Sequence, residues 1–288
     1  NMPTYDDQWQ NVTLDPLDRL PLTCTRSGTC CHGKEVWLNP WELATLARAR
    51  GIAPRLFHDR YTDSGGIRLR FNGTAGWKGL PACSQYDPNR GCVAHEGRPL
   101  ACRLYPLGRE RLGKRIRYLH EGRDFPCLAG CPNVVELPEM TVGDYLTQQN
   151  IAAGEIANDA YLEIAQDLAE GAFVLLLESP LAVAQDTSTL SRWRQLTSLS
   201  VDELIKTVPK VWLERYTLPD LDTSTHADPA AFAATHFHAL QTTTQDTFSS
   251  LADLDALRDA CCTMLALALI AGQSVGADRA ALGARWIN

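Results

Sequence analysis

Cys24-Thr25-Arg26-Ser27-Gly28-Thr29-Cys30-Cys31 is the stretch on which the fold of the first half of this chain turns. A second group follows at Cys83, Cys92 and Cys102, and a third at Cys127 and Cys131, so eight of the 10 cysteines lie between Cys24 and Cys131. The loops between them are rich in Gly, Pro and Asn and offer little apolar area of their own. Thiolates bind soft and borderline metals tightly, and that binding energy can replace a hydrophobic core. The expectation is therefore a metal-binding region whose candidate ligands are Cys24, Cys30, Cys31, Cys83, Cys92, Cys102, Cys127 and Cys131.

The compartment supports that choice over a disulfide framework. Asn1 to Asp7 has neither a basic n-region nor an apolar h-region, so a reducing, cytoplasmic location is expected, where clustered cysteines bind metal more often than they pair. The longest apolar stretch, Met264 to Ala271, is too short to span a bilayer, and no membrane partner is expected.

Spacing does not choose the metal. Two C-x2-C knuckles, the usual zinc-finger mark, are absent, and so is the C-x2-C-x2-C-x3-C run of bacterial ferredoxins. Eight thiols suffice for two zinc sites of four cysteines each, or for one four-cysteine cluster with ligands to spare. Cys30 and Cys31 are adjacent, so their side chains are expected to diverge and to be awkward partners on one ion.

Cys24 to Cys31, Pro81-Ala82-Cys83, Gly91-Cys92-Val93 and Arg98-Pro99-Leu100-Ala101-Cys102-Arg103-Leu104-Tyr105-Pro106 together resemble the YkgJ-type cysteine-cluster family, known as a zinc- or iron-chelating domain. The resemblance covers roughly residues 20–135. It implies an iron–sulfur centre of the 4Fe-4S kind, with zinc as the alternative. A related cysteine domain occurs in flagellin lysine methylases, which brings in S-adenosylmethionine and a protein or peptide substrate by analogy alone. Ser27 stands where the family's second opening cysteine belongs, so Cys127 or Cys131 would have to compensate, or the site would keep an open position.

Arg98 and Arg103 flank Cys102 and, with Tyr105, are the candidate substrate-binding residues, as thiolate hydrogen-bond donors or anion readers. His32 and His95 lie near cysteines but read as surface residues. The run Arg109, Arg111, Lys114, Arg115, Arg117 reads as a solvated face or an attractor of acidic groups. No catalytic acid–base pair, P-loop, dinucleotide fingerprint or nucleophile elbow is present.

The rest of the chain is ordinary in composition, at 45% hydrophobic and 21% charged. Charge is not evenly spread. Residues 1–138 hold 19 of the 27 Lys and Arg and 14 of the 34 Asp and Glu, a net of +5; residues 139–288 hold the remaining 8 and 20, a net of -12. The formal net charge of -7 makes nucleic acid an unpromising partner.

The organisation expected is an irregular arm over 1–22, a cysteine-cluster domain over 23–138 and a helical domain over 139–288: a mainly α protein with short strands in the cysteine region. Asn39, Pro40 and Glu42 form a capping box that opens a helix ending near Gly51, and another follows Pro54. Short strands are expected around Ile67–Phe71 and Ile116–Tyr118. Thr141 caps a helix that runs through Ile151, either to about Asn158 or on to Glu178, where Pro180 stops it; further helices are expected over 186–207, from Pro229 to Thr244, over 251–271 and over 277–286. Cys261 and Cys262 read as core packing, and His226, His236 and His238 as surface or interface residues. Two functions fit: a metalloenzyme that modifies a protein or peptide, or a non-catalytic zinc- or iron-binding module whose helical part recognises a partner.

Overall fold

The computed structural model describes residues 13–22, 28–120 and 138–287. The fold is mainly α, as the sequence predicts, with its strands short and mostly in the cysteine region. The chain divides into two compact units, residues 1–36 with 69–153, and residues 37–68 with 154–288. Each draws on both sides of the residue 138/139 boundary expected from sequence.

The first unit is built from small antiparallel pairings. Arg19–Leu20 (β1) pairs with Met140–Thr141 (β8), in the register Arg19 with Thr141 and Leu20 with Met140. The end of the N-terminal arm, expected to be irregular, is thus fastened: Leu14 also donates its N–H to the Tyr118 carbonyl at 2.9 Å. Between β1 and β8 come Tyr86–Asp87 (β4) with Gly91–Cys92 (β5), and the six-residue strands Leu107–Leu112 (β6) and Arg115–His120 (β7). Leu14, Leu20, Leu22, Leu107, Val142 and Tyr145 form its apolar core. Two-residue strands bury little by themselves, so side-chain clamps hold this unit together.

The second unit begins with two helices, Pro40–Ala49 (α1) and Pro54–Tyr61 (α2), each with proline in the first turn, followed by the two-residue strand Thr62–Asp63 (β2). At the head of α1 the Asn39 side chain accepts from Glu42 N at 3.0 Å, while Glu42 accepts from Asn39 N at 3.1 Å, the reciprocal box that the sequence spells out. Arg68–Leu69 (β3) closes this segment.

Leu100–Leu104 (α3) and Val142–Gln148 (α4) belong to the first unit. The helix expected to run on from Thr141 is interrupted: α4 stops, Asn150 takes a positive φ of 50°, and Ala152–Leu177 (α5) starts afresh. The rest of the second unit is helical: Pro180–Val183 (α6), Ser188–Ser198 (α7), Val201–Thr207 (α8), Lys210–Thr217 (α9), Pro229–Phe248 (α10), Leu254–Ser274 (α11) and Arg279–Ile287 (α12). Of the one or two helices expected over 186–207, two form, because Ser200 and Glu203 cap a new start, and α9 has no counterpart in the sequence reading.

Helix α11 is the axis of this unit. It is buried on nearly every side from Leu257 to Ser274, the mark of a helix enclosed by others, and α6, α7, α8, α9 and α12 pack on it. Cys261 lies fully buried there, as expected for a small apolar residue. His236 departs from its surface reading and is 1% exposed. Its Nε2–H donates to the Arg215 carbonyl at 2.9 Å, which leaves Nδ1 to accept from the Tyr161 hydroxyl at 2.8 Å. Both ring nitrogens are satisfied, and this is what makes a buried neutral imidazole tolerable. His238, two residues on, points outward, because two positions along a helix diverge.

Candidate metal centre

Short local devices bring the cysteine groups together. The turn Thr29–Cys31 is a single 3-10 turn whose Cys31 N–H donates to the Gly28 carbonyl at 2.9 Å. The His32 Nδ1–H donates to the same carbonyl, also at 2.9 Å. Gly28 sits at φ +75° with the Tyr86 ring against it, a place where an added Cβ would meet the ring at 2.5 Å. His32 is therefore a buried brace, 4% exposed, rather than the surface residue expected.

Residues 31–33 then run antiparallel to 81–83. Cys83 donates its N–H to the Cys31 carbonyl at 2.7 Å, and Gly33 to the Pro81 carbonyl at 3.0 Å. This pairing ties the first cysteine group to the second. The β4–β5 hairpin places Tyr86 opposite Cys92, and Val93 N–H to Gln85 O at 2.9 Å closes it next to Cys83. Its turn is an Asx turn, with Asp87 accepting from Asn89 N and Arg90 N. Cys102 follows on α3.

The Arg103 guanidinium fixes α3 in place. Nε donates to the Arg98 carbonyl at 2.9 Å, Nη1 to the Gln149 carbonyl at 2.9 Å and Nη2 to the Glu96 carbonyl at 2.5 Å. Arg98 donates to the His95 carbonyl at 3.0 Å and to the Gln149 side chain at 3.2 Å. The Tyr145 hydroxyl donates to the Tyr105 carbonyl. In this arrangement both arginines brace the loop that presents Cys102. His95 lies at the surface beside Glu96, as expected.

The outcome is a shared electrostatic neighbourhood of Cys30, Cys31, Cys83, Cys92 and Cys102. The Sγ atoms of Cys30 and Cys31 are 3.9 Å apart, so the 3-10 turn corrects the expectation that adjacent cysteines diverge. Two thiolates on one tetrahedral ion, each about 2.3 Å from the metal, sit roughly 3.8 Å from one another. The Cys30 thiol is held low by the Cys31 hydrogen bond, with Lys34 and Arg98 adding to the effect against burial. Its partner Cys31 is pushed up by donating that bond, then by burial and the neighbouring cysteines. Burial drives Cys83 up to about 12, although the Gln85 N–H at 3.4 Å from its sulfur works the other way. Burial and Cys83 likewise raise Cys102. A metal bound here must displace protons from desolvated thiols, and soft sulfur donors suit zinc and iron. Among the described residues, however, no three His, Cys, Asp or Glu side chains close on a single point. Cys24, Ser27, Cys127 and Cys131 lie outside the described residues.

Lys34 is the neighbour that sequence reasoning does not reach. Its ammonium lies 3.0 Å from the centroid of the Tyr105 ring, in the electrostatic reach of Cys30 and Cys102. Only its place just after Cys31 hints at this; Tyr105 comes from a distant part of the chain.

Residues 23–118 match the family model CxxCxxCC, described as "Putative zinc- or iron-chelating domain". The match covers about a third of the chain and bears out the resemblance read from the cysteine motifs. Zinc- or iron-type metal binding is thus the class of function that this segment carries. No curated protein and no solved structure matches the chain.

Proposed function

We propose that the first unit holds an iron–sulfur centre on thiolates drawn from Cys30, Cys31, Cys83, Cys92 and Cys102, with Cys24, Cys127 and Cys131 as the further candidates. One observation carries the reading: cysteines from separate segments are gathered into one partly desolvated neighbourhood with Lys34 and Arg98 beside it. The thiols exceed what one zinc ion takes, and the adjacent cations offset the negative charge of a thiolate-ligated cluster. Bound there, the cluster would supply one-electron chemistry or a Lewis-acidic iron. Arg103 and Arg98 position α3, and Lys34, stacked over the Tyr105 ring, lies within electrostatic reach of Cys30 and Cys102.

We further place the protein in the reducing cytoplasm, and read its helical unit as the part that recognises a protein or peptide. None of the described helices is long and apolar enough to cross a membrane. S-adenosylmethionine remains an analogy, and no site for it is proposed. Anaerobic purification with iron, sulfide and zinc analysis tests the reading: matched iron and sulfide support it, and colourless protein with stoichiometric zinc replaces it. The second reading, a non-catalytic zinc or iron module, draws on the 3.9 Å between Cys30 and Cys31 sulfurs, a spacing suited to two ligands on one ion.

A further inference from the structure

The hairpin of β6 and β7 ends in a tip that the metal site does not use. Gly113, at φ +64°, and Lys114 make the turn, and the register sets Leu112 opposite Arg115 and Arg111 opposite Ile116. Each face of the tip therefore carries one aliphatic side chain beside one cation. Leu112 is 57% exposed and Ile116 39% exposed. Lys114 and Arg115 are exposed too, and make no ion pair among the described residues. Behind them Arg117 pairs with Glu110, and Lys114 with Arg115 gives the tip its positive charge.

The root is fixed. Leu119 and His120 are buried, and Thr13 and Leu14 pair with Leu119 and Tyr118. A rigid base thus presents an apolar, cationic point to solvent. Leu112 and Ile116 thus stand on opposite faces of the turn, both open to solvent.

We propose that this tip is an interfacial anchor for an anionic lipid bilayer. A stable protein interface needs about 800 Å² from each partner, far beyond a convex point of a few residues. A bilayer needs no matching cavity. It takes Leu112 and Ile116 at the headgroup boundary while the Lys and Arg stems snorkel to the phosphates. Each cation near an anionic surface raises partitioning on the order of fivefold. The expectation of no membrane partner rests on the lack of a spanning run, which an anchor of this kind does not require. The inference stands apart from the metal reading.

The test is co-sedimentation of the whole chain, metal as purified, with vesicles of phosphatidylcholine alone or mixed with phosphatidylserine. Binding is expected only with phosphatidylserine, weakening as salt is raised. The Lys114→Gln, Arg115→Gln double variant should lose roughly twentyfold in partitioning. Leu112→Ser with Ile116→Ser should lower binding even at low salt; all four positions are exposed, and circular dichroism checks the fold. Equal binding to both vesicle types, or no binding, overturns the proposal. So does binding to polyglutamate without vesicle binding, which would assign the tip to an acidic polypeptide.

Discussion

At the scale of single residues, the placement of charge and protons decides metal retention and acid stability. Cys102 is presented on a short helix that Arg103 braces through three backbone carbonyls. Replacing Cys102 with Ser should weaken metal retention by at least the 10- to 100-fold or so that loss of an orienting partner costs, measured as metal per chain after dialysis against a competing chelator. Full retention in that variant would remove Cys102 from the ligand set. His236 gives an independent pH signature. Burial pulls its imidazole down from the ordinary 6.5 to about 4. The unfolded chain takes up this proton near pH 6.5 and the folded chain only near 4, so His236 favours the native state fully above that window. Stability should fall as pH drops from about 6.5 to 4, by up to about 3 kcal/mol in all. Urea midpoints across that range, for the wild type and His236→Gln, should differ in slope; parallel curves would show that another group governs the acid limb. The sequence discloses the cysteines by type and spacing. It does not disclose His236, whose burial depends on Tyr161 and the Arg215 carbonyl arriving from other helices.

At the scale of elements, legibility follows the range of the interactions. The capping box at Asn39 and the caps at Thr141 and Asp228 are local hydrogen bonds, and sequence places those helix starts correctly. The interruption between α4 and α5 turns on a single left-handed residue, Asn150, which apolar periodicity does not register. Strand β6 escapes the sequence reading because its partner β7 supplies the pattern, and β1 because its partner β8 lies more than a hundred residues away. The turn that aligns Cys30 with Cys31 belongs to the same class. Gly28 is required there by its positive φ and by the Tyr86 ring, whereas Gly91 has a positive φ but open space around it. Gly28→Ala should therefore cost more than the 1–2 kcal/mol or so of left-handed strain expected for Gly91→Ala, and should lower metal content as well. Comparing the two variants by urea unfolding and metal analysis checks this; equal losses would mean that the Tyr86 contact has no role in holding the turn.

At the scale of the molecule, two units rely on different sources of stability. The helical unit encloses α11 in a continuous apolar core, and each fully buried Leu or Ile there contributes about 1.5–3 kcal/mol. The cysteine unit has small apolar clusters, two-residue strands and side-chain clamps, so metal binding should provide much of its folding free energy. Removing metal under anaerobic conditions should raise amide exchange across residues 28–36 and 69–120 while the amides of α11 stay protected. Uniform loss of protection, or none, would contradict that division. The contrast also explains what the sequence could show of the whole: a helical half follows from periodicity, but which segments join which unit depends on contacts between distant residues, as with 37–68 and 154–288. Whether the cysteines hold an iron–sulfur centre is measured most directly by the metal and sulfide content of the protein purified without oxygen, compared with a Cys83→Ser, Cys102→Ser variant. Iron with matching sulfide is expected in the wild type, and its loss in the variant. Wild-type protein that holds zinc without iron, or neither metal under reducing conditions, or a variant that keeps its full complement, would contradict the iron–sulfur reading.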